Sequence, residues 1–129
     1  MLPYLKKYCI TMVKLLCGVS NLACDILGDI NPYQRRCTQC EEGVEETVYH
    51  FIMSCPLNTV KRSILFRDIC SALSDQNVRV FNDFSDTIKF YIVMGLDFPF
   101  SHEELLEIRK ISCINVNKMY SKREKLLYN

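Results

Sequence analysis

The stretch CTQCEEGVEETVYHFIMSCP, residues 37–56, decides the fold of this chain, because it places four potential metal ligands in one short segment. Cys37 and Cys40 are separated by two residues, His50 comes after nine more, and Cys55 stands directly before a proline. Two cysteines at this spacing can form a tight turn with both sulfurs pointing inward. Three thiolates and one imidazole make a closed tetrahedral set, which is typical of a structural zinc site with no position left for water.

The proline at position 56 supports the same interpretation. Residues five apart on a continuous α-helix point about 140° away from each other, so His50 and Cys55 could not share an ion there. Pro56 disfavours α geometry at Cys55 and suits the first turn of a following helix. Within a segment of about residues 29–60, the sequence therefore predicts one structural Zn²⁺ with four ligands, Cys37, Cys40, His50 and Cys55.

Composition is that of an ordinary globular domain. The 129 residues suit one domain, residues 1–129, and 49% of them are hydrophobic, enough for a core without crosslinks. The formal net charge of +1 argues neither for nor against a nucleic-acid partner.

Eight cysteines allow two interpretations, a secreted disulfide domain or an intracellular protein with reduced thiols. The apolar run Tyr8–Leu16 is interrupted by Lys14 and soon followed by Gly18, so it is neither a good signal peptide nor a membrane span. We therefore expect an intracellular protein, nuclear or cytoplasmic and not secreted, that makes no membrane contact. Three cysteines would bind metal and the other five would remain reduced.

The remaining sequence predicts an all-α domain, a bundle of five or six helices stapled by the zinc site. Apolar residues at steps of three and four predict helices over about residues 2–17, 20–27, 46–54, 56–73, 84–94 and 101–126. Ser101 with Glu104 is a capping-box signature for the last helix. Residues 29–44 are expected to form a loop, and the alternation from Val78 to Phe84 indicates a short strand without an obvious partner.

The segment Glu46-Thr-Val-Tyr-His50-Phe-Ile-Met-Ser-Cys55-Pro56, with the preceding cysteine pair, resembles the zinc-binding region at the C-terminal end of non-LTR retrotransposon reverse transcriptases. That pattern is Cys-x2-Cys, Glu-Thr, two residues, His, an apolar pair and Cys-Pro. The resemblance covers roughly residues 10–67, about half of the chain. The family often has glycine directly after the second cysteine, whereas here Gly43 follows two glutamates.

The resemblance implies a non-catalytic part of a larger polymerase that helps to hold template RNA or target DNA. The chain has no adjacent aspartate pair of the polymerase type, no glycine-rich phosphate loop and no nucleophile elbow. We therefore expect no enzymatic activity and no small-molecule substrate. A chain that starts at Met1 without polymerase motifs is expected to be a truncated or stand-alone copy, functional or not.

Basic residues on both sides of the ligands are candidates for nucleic-acid binding: Arg35, Arg36, Lys61, Arg62 and Arg67. Such cations could hold the phosphates of single-stranded RNA or DNA without base specificity. A second basic group, Lys118, Lys122, Arg123 and Lys125, falls mostly on one face near the end of the last predicted helix. The alternative is a zinc-stapled structural or protein-interaction domain without a nucleic-acid role. A continuous basic surface would favour nucleic acid, and an exposed apolar groove would favour the alternative; the oligomeric state stays open.

Overall fold

Helices account for nearly all regular structure in the computed structural model, which describes residues 6–18, 20, 22, 36–96 and 98–128. Five α-helices lie in these ranges: α1 Lys6–Cys17, α2 Thr59–Ser71, α3 Asp75–Asp83, α4 Asp86–Val93 and α5 His102–Tyr128. A π-helix, His50–Ser54, and a 3-10 helix, Pro56–Asn58, precede α2. Extended pairing in the described ranges amounts to one isolated antiparallel bridge between Arg36 and Glu45. The all-α prediction is confirmed.

The long helix α5 is the centre of the packing, because α1 and α2 both lie along it. Ile108, Val116 and Tyr120 of α5 are almost completely buried, and so are Leu65 and Ile69 of α2. Burial of one such side chain stabilises the fold by roughly 1.5–3 kcal/mol. The core therefore forms where the apolar stripes of α2 and α5 meet.

The short strand predicted between Val78 and Phe84 is wrong, because these residues belong to α3 and to its C-cap. Ser74 caps the helix by accepting a hydrogen bond from the amide of Asn77 at 3.3 Å. Phe81, three residues after Val78, is 1% exposed. At helical spacing the partly buried Val78 and the buried Phe81 both pack against the core. The strand prediction depended on the alternation of Val78 with Val80.

The capping box of α5 is present as expected. The Ser101 hydroxyl accepts from the amide of Glu104 at 3.1 Å, and the Glu104 carboxylate accepts from the amide of Ser101 at 3.0 Å. The same carboxylate also accepts from the Ser74 amide and the Asn77 side chain, each at 2.9 Å. Hydrogen bonds from the backbone amides of Ser74 and Ser101 lower the pKa of Glu104. One carboxylate thus joins the starts of α3 and α5.

The other boundaries shift by a few residues. The helix predicted for residues 84–94 starts at Asp86, because Phe84 is extended and Ser85 accepts from the amide of Ile88. The helix predicted for residues 20–27 and the loop residues before Arg36 lie almost entirely outside the described residues. None of the described helices combines the length and the apolar character needed to cross a membrane.

Candidate metal centre

The four sequence-predicted ligands come together in space. One donor atom from each of Cys37, Cys40, His50 and Cys55 lies within 4.8 Å of all the others. A tetrahedral zinc ion with Zn–S near 2.3 Å and Zn–N near 2.0 Å would hold neighbouring donors roughly 3.5–3.8 Å apart. The Cys40 sulfur lies 3.5 Å from His50 Nε2. Three of the residues are buried and Cys40 is half-buried. The cluster can hold one metal ion, and its donor set fits zinc.

A backbone turn presents the first two cysteines. The amide of Cys37 donates to the carbonyl of Val44 at 2.7 Å, and Arg36 pairs with Glu45 in the antiparallel bridge. Gly43 closes the turn with φ of 68°, a left-handed conformation that side chains other than glycine rarely adopt. Gly43 stands two residues later in the chain than the glycine that the resemblance places directly after the second cysteine.

A π-helix presents the other two ligands. The amide of Cys55 donates to the carbonyl of His50 at 2.7 Å, a bond between residues five apart. In this geometry residues five apart lie close to each other, so the 140° separation of an α-helix does not apply. Cys55 is then extended, with φ −60° and ψ 123°, and Pro56 begins the 3-10 helix. The predicted break at the proline is present, but the π-helix was not foreseen.

Side chains of the following helices hold the end of the π-helix. Arg62 donates from Nε to the carbonyl of Ile52 at 2.9 Å and from Nη2 to the carbonyl of Cys55 at 2.6 Å. Asn58 donates to the carbonyl of Phe51 at 2.8 Å. These bonds satisfy carbonyls that a helix end leaves without partners. Burial lowers the pKa of Arg62.

Burial also changes the pKa of three of the ligands. It raises the pKa of Cys37 to about 12, raises the pKa of Cys55 and lowers the pKa of His50. In each case the buried environment disfavours the charged form. Neutral imidazole is the form that binds metal, while the thiols must lose protons. A divalent cation within the cluster supplies the positive charge that stabilises neighbouring thiolates.

A buried ion pair supports the cluster from the far end of the chain. Arg123 of α5 donates from Nε to Glu46 Oε2 at 2.9 Å, and its Nη2 donates to Oε1 of the same carboxylate. The two side chains are 6% and 2% exposed. Glu46 Oε2 also accepts from the thiol of Cys37 at 3.6 Å. Sequence reasoning missed this pair, since it assigned no partner to Glu46 and counted Arg123 in the second basic group.

The predicted nucleic-acid residues have different environments. Arg35 lies outside the described residues, and Arg36 is half-buried at the bridge. Arg62 donates to two carbonyls at the end of the π-helix, while Arg67 is 70% exposed and pairs with Asp68 at 3.2 Å. Arg62 and Arg67 point about 140° apart around α2, because they are five residues apart. These two cations therefore do not form one narrow stripe along the helix.

The cysteines outside the cluster carry free thiols where they are described, namely Cys9, Cys17, Cys70 and Cys113. Cys24 lies outside the described residues.

Comparison with known proteins gives no match for the chain. No protein-family model, curated protein or solved structure matches it. The residues of the cluster and the motif in residues 37–56 are therefore the features of the chain that indicate a function.

Proposed function

We propose that this chain is a zinc-binding domain in which a single Zn²⁺ has a structural role and no part in catalysis. The observation that carries the proposal is the convergence of four donor atoms within 4.8 Å. Three thiolates and one imidazole complete a tetrahedron, so no coordination position remains for a reacting water or substrate.

The location of the cluster supports the structural role. Residues 36–58, here called the metal segment, contain one isolated bridge, a five-residue π-helix and a three-residue 3-10 helix. Short elements of this kind are marginal in isolation, and a metal that joins them supplies folding free energy. The buried pair of Glu46 with Arg123 then connects the metal segment to α5.

Metal analysis tests this role directly. Protein purified without chelator is expected to contain one Zn²⁺ per chain, and Cys55→Ser is expected to lose it. Cys17→Ser is the matched control, because Cys17 is exposed and outside the cluster. Metal removal should unfold the metal segment and lower the melting temperature. A metal-free chain with unchanged melting temperature, or equal zinc loss in both variants, would contradict the proposal.

A second candidate function is weak binding of single-stranded RNA or DNA, as the resemblance to the reverse-transcriptase region implies. Exposed cations on α2 and α5 support it: Arg67 is 70% exposed, Lys118 is exposed, and Lys122 is exposed while donating to the carbonyl of Leu57 in the metal segment at 3.1 Å. The protein would then act in the nucleus or cytoplasm as a non-catalytic piece of a retrotransposon polymerase.

The salt dependence of binding tests this second function. Each phosphate contact on a single strand changes the slope of log affinity against log salt by about 0.7. Replacing Arg35 and Arg36 together by Gln should flatten that slope by about 1.4 if both contact phosphate. Lys118→Gln with Lys122→Gln is the comparison variant, and a larger effect there would move the binding surface to α5. Absence of binding at low salt would leave the structural zinc role alone.

A further inference from the structure

Two thiols outside the metal centre contact each other where α1 lies along α5. The Cys9 thiol donates to the sulfur of Cys113, and the two sulfur atoms are 3.4 Å apart. Both cysteines are free. The sulfurs of a disulfide bond are about 2.05 Å apart, so these two atoms need to approach by only about 1.3 Å to be bonded.

Neighbouring contacts hold the two helices at this separation. The Thr11 hydroxyl donates to Asn117 Oδ1 at 2.7 Å, which joins α1 to α5 about one turn from the cysteine pair. Met12 and Leu15 of α1 are buried in the core beside this bond. Because the backbones are already fixed next to each other, rotation of the two cysteine side chains can bring the sulfurs together.

The pair is open to small molecules. Cys9 and Cys113 are both half-buried, and both line an open cavity of about 750 Å³ between α1, the end of α4 and the first half of α5. Cys37 and Cys55 of the metal centre are buried by comparison. A small reagent can therefore reach the Cys9–Cys113 pair more easily than it can reach these two ligands.

The proton affinity of Cys113 sets the order of reaction. Burial raises the pKa of Cys113 to about 12, and the neighbouring Cys9 thiol raises it further in the same direction. The thiolate is the reactive form of cysteine, so the first attack falls to Cys9. Once the Cys9 sulfur is bonded to another group, its thiol no longer opposes the loss of the Cys113 proton, and burial remains as the cause.

We propose that Cys9 and Cys113 are a redox-sensitive pair that forms a reversible disulfide between α1 and α5 in the presence of a small-molecule disulfide. The Cys9 thiolate attacks one sulfur of the reagent, breaks its S–S bond and releases one thiol. Cys113 then loses its proton to solvent, and its thiolate attacks the Cys9 sulfur and releases the second thiol. Two protein thiols are oxidised to one disulfide, while one reagent disulfide is reduced to two thiols.

The disulfide would change how firmly α1 is held. It joins residues 104 positions apart in the chain, and a crosslink across so long a loop removes much freedom from the unfolded state. The melting temperature should rise by roughly 10 °C on oxidation. The pair shares no residue with the metal cluster, so the zinc content should not change.

Peptide analysis of the full chain tests the pair. The zinc-loaded protein is incubated with glutathione disulfide, quenched with acid, alkylated and digested with trypsin. Cleavage after lysine places Cys9 in residues 8–14 and Cys113 in residues 111–118, and each peptide contains one cysteine. These two peptides should be the first to appear as a linked pair, with zinc retained, and dithiothreitol should separate them. A lasting glutathione adduct on Cys9, an earlier link through another cysteine, or earlier loss of zinc would overturn the proposal.

Two variants connect the link to stability. Cys9→Ser and Cys113→Ser should each abolish the linked peptides and the rise in melting temperature on oxidation. Cys17→Ser is the matched control and should keep both, because Cys17 is exposed and lies outside the pair. Equal melting temperatures for oxidised and reduced parent, or a rise that persists in Cys9→Ser, would refute the proposal. The peptide analysis of the parent decides the assignment even where a variant fails to fold.

Discussion

Replacement of Arg123 by methionine tests whether α5 supports the metal segment through its buried ion pair. Methionine keeps an unbranched apolar chain but leaves the Glu46 carboxylate, 2% exposed, without its two charge-assisted hydrogen bonds. Loss of one partner of a buried pair costs about 3–5 kcal/mol. Domains of this kind have a total stability of about 5–15 kcal/mol, so we expect a large loss in the free energy of unfolding.

The assay is urea unfolding of the zinc-saturated protein, with the midpoint and slope compared between parent and variants. The double variant Glu46→Leu with Arg123→Met is expected to recover most of the stability, because replacement of a whole buried pair by apolar residues is often neutral or stabilising. Lys118→Met is the matched control, since Lys118 is exposed on the same helix.

Two outcomes would refute the reasoning. A loss below about 1 kcal/mol in Arg123→Met would mean that water or local movement satisfies the Glu46 carboxylate. A double variant no more stable than Arg123→Met would mean that the uncompensated charge is not the source of the loss. A further readout is zinc affinity, which should fall in Arg123→Met, because the Glu46 carboxylate without its Arg123 partner opposes the loss of the Cys37 proton that zinc binding requires.

Three more predictions address other parts of the structure. Pro56→Ala should weaken zinc binding, but less than Cys55→Ser. An amide at position 56 lets the preceding helix continue, which turns the Cys55 side chain away from the other ligands. If a zinc competition titration gave the same affinity as for the parent, the π-helix alone would be what ends the helix at Cys55. Glu104→Gln should cost about 1 kcal/mol at neutral pH, because both carboxylate oxygens accept hydrogen bonds and the amide nitrogen of glutamine cannot replace one of them as an acceptor. The pKa of Glu104 is lowered from 4.5 in the folded protein. The carboxylate therefore contributes to the free energy of unfolding above that pH, and the contribution is lost as the pH falls through the lower pKa of the folded state. If urea unfolding at pH 2–3 still showed the same difference between variant and parent, a hydrogen-bonded carboxylate would not be its source. Phe81→Ala should lower the free energy of unfolding by about 3–5 kcal/mol, because it opens a cavity in the core. The control Val60→Ala changes a residue that is 72% exposed and should shift the urea midpoint little. Similar losses of stability in both variants would mean that Phe81 is not a core residue.

Much of the fold follows from local sequence patterns. Apolar steps of three and four predicted α1, α2 and α5, and the box of Ser101 with Glu104 marked the start of α5. These signals depend on residues within about one turn of each other, so they hold wherever the helix lies in the molecule. The alternation that starts at Val78 gave a wrong strand prediction, because the apolar residues in so short a stretch fit the repeat of a strand as well as that of a helix.

For the metal centre, too, the sequence predicts some features and not others. Cysteine and histidine spacing with the proline at position 56 determined which four side chains would converge, because short loops bring only nearby donors together. The spacing did not show how the side chains of His50 and Cys55 reach the same metal position. That arrangement depends on the hydrogen bond from the Cys55 amide to the His50 carbonyl and on the two carbonyls to which Arg62 donates.

Local sequence patterns are therefore enough to predict most of the helices, the caps and the ligand set. The buried pair of Glu46 and Arg123, 77 residues apart, follows only from the way in which the helices pack. Both residues carry the charge and spacing of solvent-exposed groups, and nothing within a few positions of either one marks it as buried. Packing of α5 against the metal segment removes them from water, and a charge in that position must find its opposite.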